Sequence, residues 1–147
     1  MAEPEPFVSN HRRTYAVING SSAPIWLAMI LVPRSRLTRW LVQRASLLFV
    51  GLGLAYDALL ASGIARSGEI VDFRDPDAVR RALSQPGFFL AGWTHYIAFD
   101  LFVGRWIWED SLARGRRARL ALLLTWLAGP AGLSLYLVQR RREPLGG

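Results

Sequence analysis

The apolar residues of this chain come in long blocks, not with the period of a half-buried helix or strand. Four blocks stand out. The first runs from about Val17 to Val32 and is interrupted by Asn19, Gly20, Ser21, Ser22 and Pro24. The second, about Trp40 to Gly63, carries Arg44 near its start and Asp57 inside it. The third, Gly87 to Trp108, contains His95, Asp100 and Arg105. The fourth, Leu120 to Val138, is broken only by Gly129-Pro130-Ala131-Gly132. About 20 apolar residues at ~1.5 Å each cross a ~30 Å hydrocarbon core. The first block is short by that measure, and the others are long enough. The pattern predicts an all-α fold: one integral membrane domain over residues 1–147 with four transmembrane helices. Pro130 lacks an N–H and crowds the carbonyl of Trp126, which predicts a kink in the fourth.

Residues 64–86 form a polar loop between the second and third blocks. Inside it, Asp75 to Leu83 reads as a short helix, with Asp75 as cap and Pro76 in the first turn. Val79 and Leu83 are four apart and share an apolar face, so this helix is expected at the membrane surface. Residues 1–16 are polar, with acids at Glu3 and Glu5 and no apolar run behind a basic segment. That does not look like a cleavable signal, so the first membrane segment is expected to stay in the mature protein.

Charge adds to this picture. The net charge is +7 and all 18 basic residues are arginine. They gather at the ends of the apolar blocks, which suits lipid headgroups and not nucleic acid. With four spans, one membrane side would carry nine arginines and the other seven, which leaves orientation open. There is no cysteine, which excludes disulfides and thiolate chemistry, and no metal site is expected.

Ionisable side chains within spans are costly, so His95, Asp100 and Arg105 must be paired or used. Gly92, Tyr96, Asp100 and Gly104 share one helix face, spaced by four. His95 and Asp100 are five apart, about 140° around the helix, as are Asp100 and Arg105. No same-helix pair is therefore available among these three. If helices two and three are antiparallel neighbours, Arg44 lies within reach of Asp100, and Asp57 lies level with His95. Two inter-helix pairs are expected: Asp100 with Arg44, and His95 with Asp57. Arg44, Asp57 and Arg105 are read mainly as charge-pairing residues. A mid-membrane histidine can move a proton, which makes His95, with Asp100, the candidate acid/base pair. Glu109 and Asp110 lie at a helix end beside an arginine-rich loop and read as a solvated turn.

Trp40, Trp106 and Trp108 lie near helix ends, where they would form interfacial belts. Trp93 and Trp126 are deeper. With Phe88, Phe89, Tyr96 and Phe99 they could wall a groove for a long apolar ligand.

The run Gly92-Trp93-Thr94-His95-Tyr96-Ile97-Ala98-Phe99-Asp100-Leu101-Phe102-Val103-Gly104-Arg105-Trp106-Ile107, with Gly129-Pro130-Ala131-Gly132-Leu133, resembles the neoxanthin-synthase-like family, named after an abscisic-acid-deficient plant mutant. The resemblance covers roughly Val17 to Val138. Members are small multi-span proteins of plastids, with bacterial relatives. Plant members are needed to convert violaxanthin to neoxanthin, opening an epoxide to an allenic alcohol. The resemblance thus implies a membrane protein that binds or isomerises a carotenoid or other isoprenoid. Epoxide opening needs an acid at the oxygen and a base for the departing proton, roles that fall to His95 and Asp100. Trp93, Tyr96, Phe99 and Trp126 would contact the substrate, and no cofactor is needed. The partners are membrane lipid and the isoprenoid, with a homo-oligomer as an open option, and the expected location is a bacterial inner membrane. The alternative is a non-enzymatic lipid or carotenoid binder or assembly protein. A proton-coupled transporter is a third reading, for which four helices are few.

Overall fold

The computed structural model describes residues 7–68 and 70–141. Glu3, Glu5, Glu69 and Arg142 are among those outside it. Every regular element in the described residues is a helix: α1 Ser9–Ser21, α2 Ala23–Leu31, α3 Arg36–Ser67, α4 Pro76–Leu83, α5 Pro86–Ala113, α6 Arg119–Ala128 and α7 Pro130–Arg141. Residue contacts divide the chain into two compact units. The first comprises residues 1–21 and 49–97, and the second residues 22–48 and 98–147. Both α3 and α5 contribute residues to each.

The first apolar block begins earlier than its hydrophobicity suggests, because its polar residues are absorbed locally. Asn19 Oδ1 accepts from Trp93 Nε1 at 3.3 Å, and Ser21 Oγ donates to the Ile18 carbonyl at 2.7 Å. Pro24 falls in the first turn of α2, where its missing N–H leaves no bond unmade. The stretch Ser9–Leu31 is thereby 23 residues, long and apolar enough to cross a membrane. So is α3, with 32 residues. The 28 residues of α5 have the length, about 42 Å, but His95, Asp100 and Arg105 dilute its apolar character.

In the first unit, α4 forms where the sequence places it, with Asp75 Oδ1 accepting from Asp77 N at 2.9 Å. On its apolar side Val79 is half-buried and Leu83 is exposed. Leu83 lies 3.5 Å from where a side chain on Gly92 would begin. The start of α5 presses closely on the end of α3: a Cβ on Gly87 would stand 3.3 Å from Gly63 Cα. Small residues allow that backbone approach. Phe7, Tyr15, Phe89 and Trp93 form a ring cluster, with Phe89 and Trp93 stacked at 6.0 Å.

In the second unit, the turn from α2 to α3 is fixed by the buried Thr38. Its Oγ1 donates to the Val32 carbonyl at 2.7 Å, and Ser35 Oγ accepts from Thr38 N at 3.0 Å to cap α3. Trp108 Nε1 donates to the Pro33 carbonyl at 3.0 Å. Trp26 is 1% exposed, packs on Gly104 and stacks on Trp126 at 6.1 Å with a 10° interplanar angle.

The fourth apolar block departs most from the sequence reading. The expected kinked span is a helical hairpin. The backbone reverses at Gly129, whose φ of +32° lies in the left-handed region that favours glycine. α7 then returns along α6, so closely that Gly132 touches the backbone of Thr125 and Ala121. Farther along, Arg116 Nη1 reaches the Gln139 carbonyl at 3.4 Å. With 10 and 12 residues, α6 and α7 are about 15 and 18 Å long, roughly half a membrane core each.

Candidate functional site

A cavity of about 240 Å³ lies within the first unit. Tyr56 and Leu60 line it from α3, Val79 and Leu83 from α4, and Phe88 and His95 from α5. Val71 and Phe73, from the segment before α4, complete its rim. The lining is aliphatic and aromatic apart from the phenol of Tyr56 and the imidazole of His95. Those two rings lie 6.2 Å apart, centroid to centroid. An apolar hollow with a few convergent polar groups is the usual form of a small-molecule site. Imidazole and phenol can each give or take a proton, and both can hydrogen-bond an oxygen.

His95 therefore lies on the cavity, but its expected partner does not. Asp57 follows Tyr56 by one residue, about 100° around α3, and is exposed. The antiparallel register had the right level and the wrong face: Tyr56, not Asp57, meets His95. Tyr56 is the residue that the sequence reading missed. Its signal was its position beside Asp57, at the level of His95.

Asp100 lies in the second unit, against the hairpin tip. Its Oδ1 is 2.6 Å from where a Cβ on Gly129 would stand. Gly129 precedes α7, whose positive N-terminal end favours a nearby carboxyl group. The expected pair with Arg44 does not form, because the Arg44 guanidinium lies 4.5 Å over the ring of Trp40. Arg105 pairs along its own helix, Nε to Glu109 Oε1 at 2.8 Å. His95 thus lies on the cavity of the first unit, and Asp100 packs on Gly129 in the second.

Trp93 belongs to the ring cluster with Tyr15 and Phe89, and Trp126 stacks on Trp26. Tyr96 and Phe99 are exposed on α5. Of the rings expected to wall a groove, Phe88 lines the cavity.

Asp110 also corrects an expectation. It is not a solvated turn residue but a half-buried hub. Its Oδ2 accepts from Tyr136 Oη at 2.6 Å, Arg114 Nε at 2.9 Å and Arg140 Nε at 3.1 Å. Arg140 also lies 5.7 Å over Trp106. Burial alone would raise the Asp110 carboxyl, but hydrogen bonds from Tyr136, Arg140 and Arg114 outweigh it and hold the group below the ordinary carboxylate range. Asp110 lies just past the Gly87–Trp108 stretch, and it ties the end of α5 to α7. Among the described residues, no group of three or more His, Cys, Asp or Glu comes together to hold a metal ion.

Comparison with known proteins agrees with the motif. The chain matches none of the curated proteins and none of the solved structures with which it was compared. It does match the ABA DEFICIENT 4-like family over residues 13–136. That stretch includes the α5 motif, the Gly129 hairpin tip and the cavity lining. The chain belongs to the ABA DEFICIENT 4-like family.

Proposed function

We propose that this chain is an integral membrane protein that holds the cyclic end group of an isoprenoid, such as a carotenoid, beside His95. The cavity carries this reading: it is apolar, with polar groups concentrated at Tyr56 and His95. Its volume of about 240 Å³ is below the ~300–1,000 Å³ of sites that enclose a drug-sized ligand. A ring fits that space and a whole polyene does not, so the polyene would remain in lipid.

Epoxide isomerisation is the activity this site would support. A proton goes to the epoxide oxygen and the ring C–O bond breaks at the carbon bearing the polyene. A proton leaves the next chain carbon, and its electron pair completes an allene. Atoms and electrons balance without an oxidant or reductant. His95 would handle one of these protons. Asp100 packs on Gly129, in the second unit.

The test is conversion of violaxanthin by the purified chain in detergent, followed by chromatography of the pigments. The wild type is expected to give an isomer of unchanged mass, and His95→Gln to lower the rate by ~10²–10⁴-fold, as loss of a general acid or base does. Pigment bound but unchanged by the wild type would favour the non-enzymatic reading. Specific contacts support that reading too, since Asp100, Arg44 and Arg105 are each engaged in packing or pairing.

A further inference from the structure

The net charge of the chain is distributed very unequally. Residues 22–48 and 98–147 carry 12 arginines and 4 acids, net +8, while residues 1–21 and 49–97 carry 6 arginines and 7 acids, net −1. The folding of the second unit concentrates this charge. Arg34 Nη2 donates to the Gly115 carbonyl at 2.9 Å, joining the α2–α3 turn to the α5–α6 turn. Arg119 Nη2 donates to the Leu31 carbonyl at 3.1 Å, and Arg116 reaches the C-terminal end of α7. Arg34 and Arg119 bond to backbone carbonyls, which leave their charge uncompensated. Arg114, in the second turn, pairs with Asp110 at 2.9 Å.

The hairpin decides the side of the C-terminus. α6 and α7 are each too short to cross, and α7 returns to the level of Arg116. Taking α5 as a crossing beside the two long apolar helices, Ser9–Leu31 and α3, gives three, and an odd number places the chain ends on opposite faces. The arginines of the C-terminal end then join those of the two turns. The balance becomes ten against six, where four spans would give nine against seven. Positively charged loops near span ends stay on the cytoplasmic side, whose leaflet carries anionic lipid.

We propose that α6–α7 is a re-entrant hairpin and that the arginine-rich turns, with the end of α7, face the anionic cytoplasmic leaflet, the N-terminus lying on the opposite side. This rests on the chain being membrane-embedded.

The absence of native cysteine makes the test direct. Single cysteines replace Ser84, Ala113 or Arg141 in the full chain expressed in bacteria. A membrane-impermeant thiol reagent is then applied to intact spheroplasts and to inside-out vesicles. The expected result is Ser84→Cys labelled in spheroplasts, and Ala113→Cys and Arg141→Cys labelled only in inside-out vesicles. Labelling of Arg141→Cys together with Ser84→Cys, opposite Ala113→Cys, would mean four spans and overturn the hairpin. The reverse sidedness for all three would overturn the orientation. Carbonate extraction, done first, separates these from failure of the membrane reading itself: a chain released into solution sinks that reading. Arg34→Gln, Arg36→Gln, Arg117→Gln and Arg119→Gln combined are expected to give at least a several-fold rise in Ala113→Cys labelling from outside. Unchanged labelling would overturn the role given to the arginines.

Discussion

Gly132→Ala should be among the most destabilising single-methyl changes in this chain, at about 3 kcal/mol, the upper end for overpacking. The added methyl would meet the backbone nitrogen of Thr125, its Oγ1 and the Ala121 carbonyl. A flexible side chain could swing away, but a hydrogen-bonded helix backbone cannot. The two hairpin arms would have to separate, with loss of the contact between Arg116 and Gln139. Thermal unfolding in detergent, followed by circular dichroism, measures the effect. Ala131→Gly on the neighbouring exposed face serves as a control and should cost about 1 kcal/mol at most. Equal losses at the two positions would contradict the close hairpin.

Gly104→Ala should cost a similar amount for a different reason. The six-membered ring of Trp26 occupies the space that the new methyl needs. Trp26 cannot yield easily, being buried and stacked on Trp126. Trp26→Ala should itself lose about 3–5 kcal/mol, as large-to-small changes of buried tryptophan do. The diagnostic result is the combination. Trp26→Leu together with Gly104→Ala should be less destabilised than the sum of the two, because the leucine leaves room for the methyl. Strict additivity would show that the two positions do not touch. The Gly104 position in the α5 motif thus acquires a physical reason: the indole of Trp26 needs a bare backbone there.

These contacts mark where sequence reasoning succeeds and where it stops. The apolar blocks were long and cleanly bounded, so their helical nature was legible, as was the Asp75 cap of α4. On the face shared by Gly92, Tyr96, Asp100 and Gly104, Gly104 meets the ring of Trp26, while Tyr96 is exposed. The hairpin was not legible, because Gly-Pro in an apolar block fits a kink as well as a reversal. The contact of Gly132 with Ala121 and Thr125 separates them, as does that of Arg116 with Gln139. At the site, helix register gave the level of His95's neighbour but not the angle, and one residue turned Asp57 into Tyr56. Trp93 and Trp126, read as deeper in the spans, each stack on an aromatic partner, Phe89 and Trp26. Asp110 was obscured because its hydrogen-bond donors, Tyr136 and Arg140, lie on α7, beyond the reversal.

On this reading the cavity beside His95 receives the ring of an isoprenoid. The most direct test is the visible absorption spectrum of the purified chain after incubation with violaxanthin and gel filtration. The wild type should carry the carotenoid bands with it. Leu60→Trp, which fills the cavity from α3 and keeps His95, should elute folded and colourless. Equal pigment on both proteins, or none on the wild type, would contradict the claim.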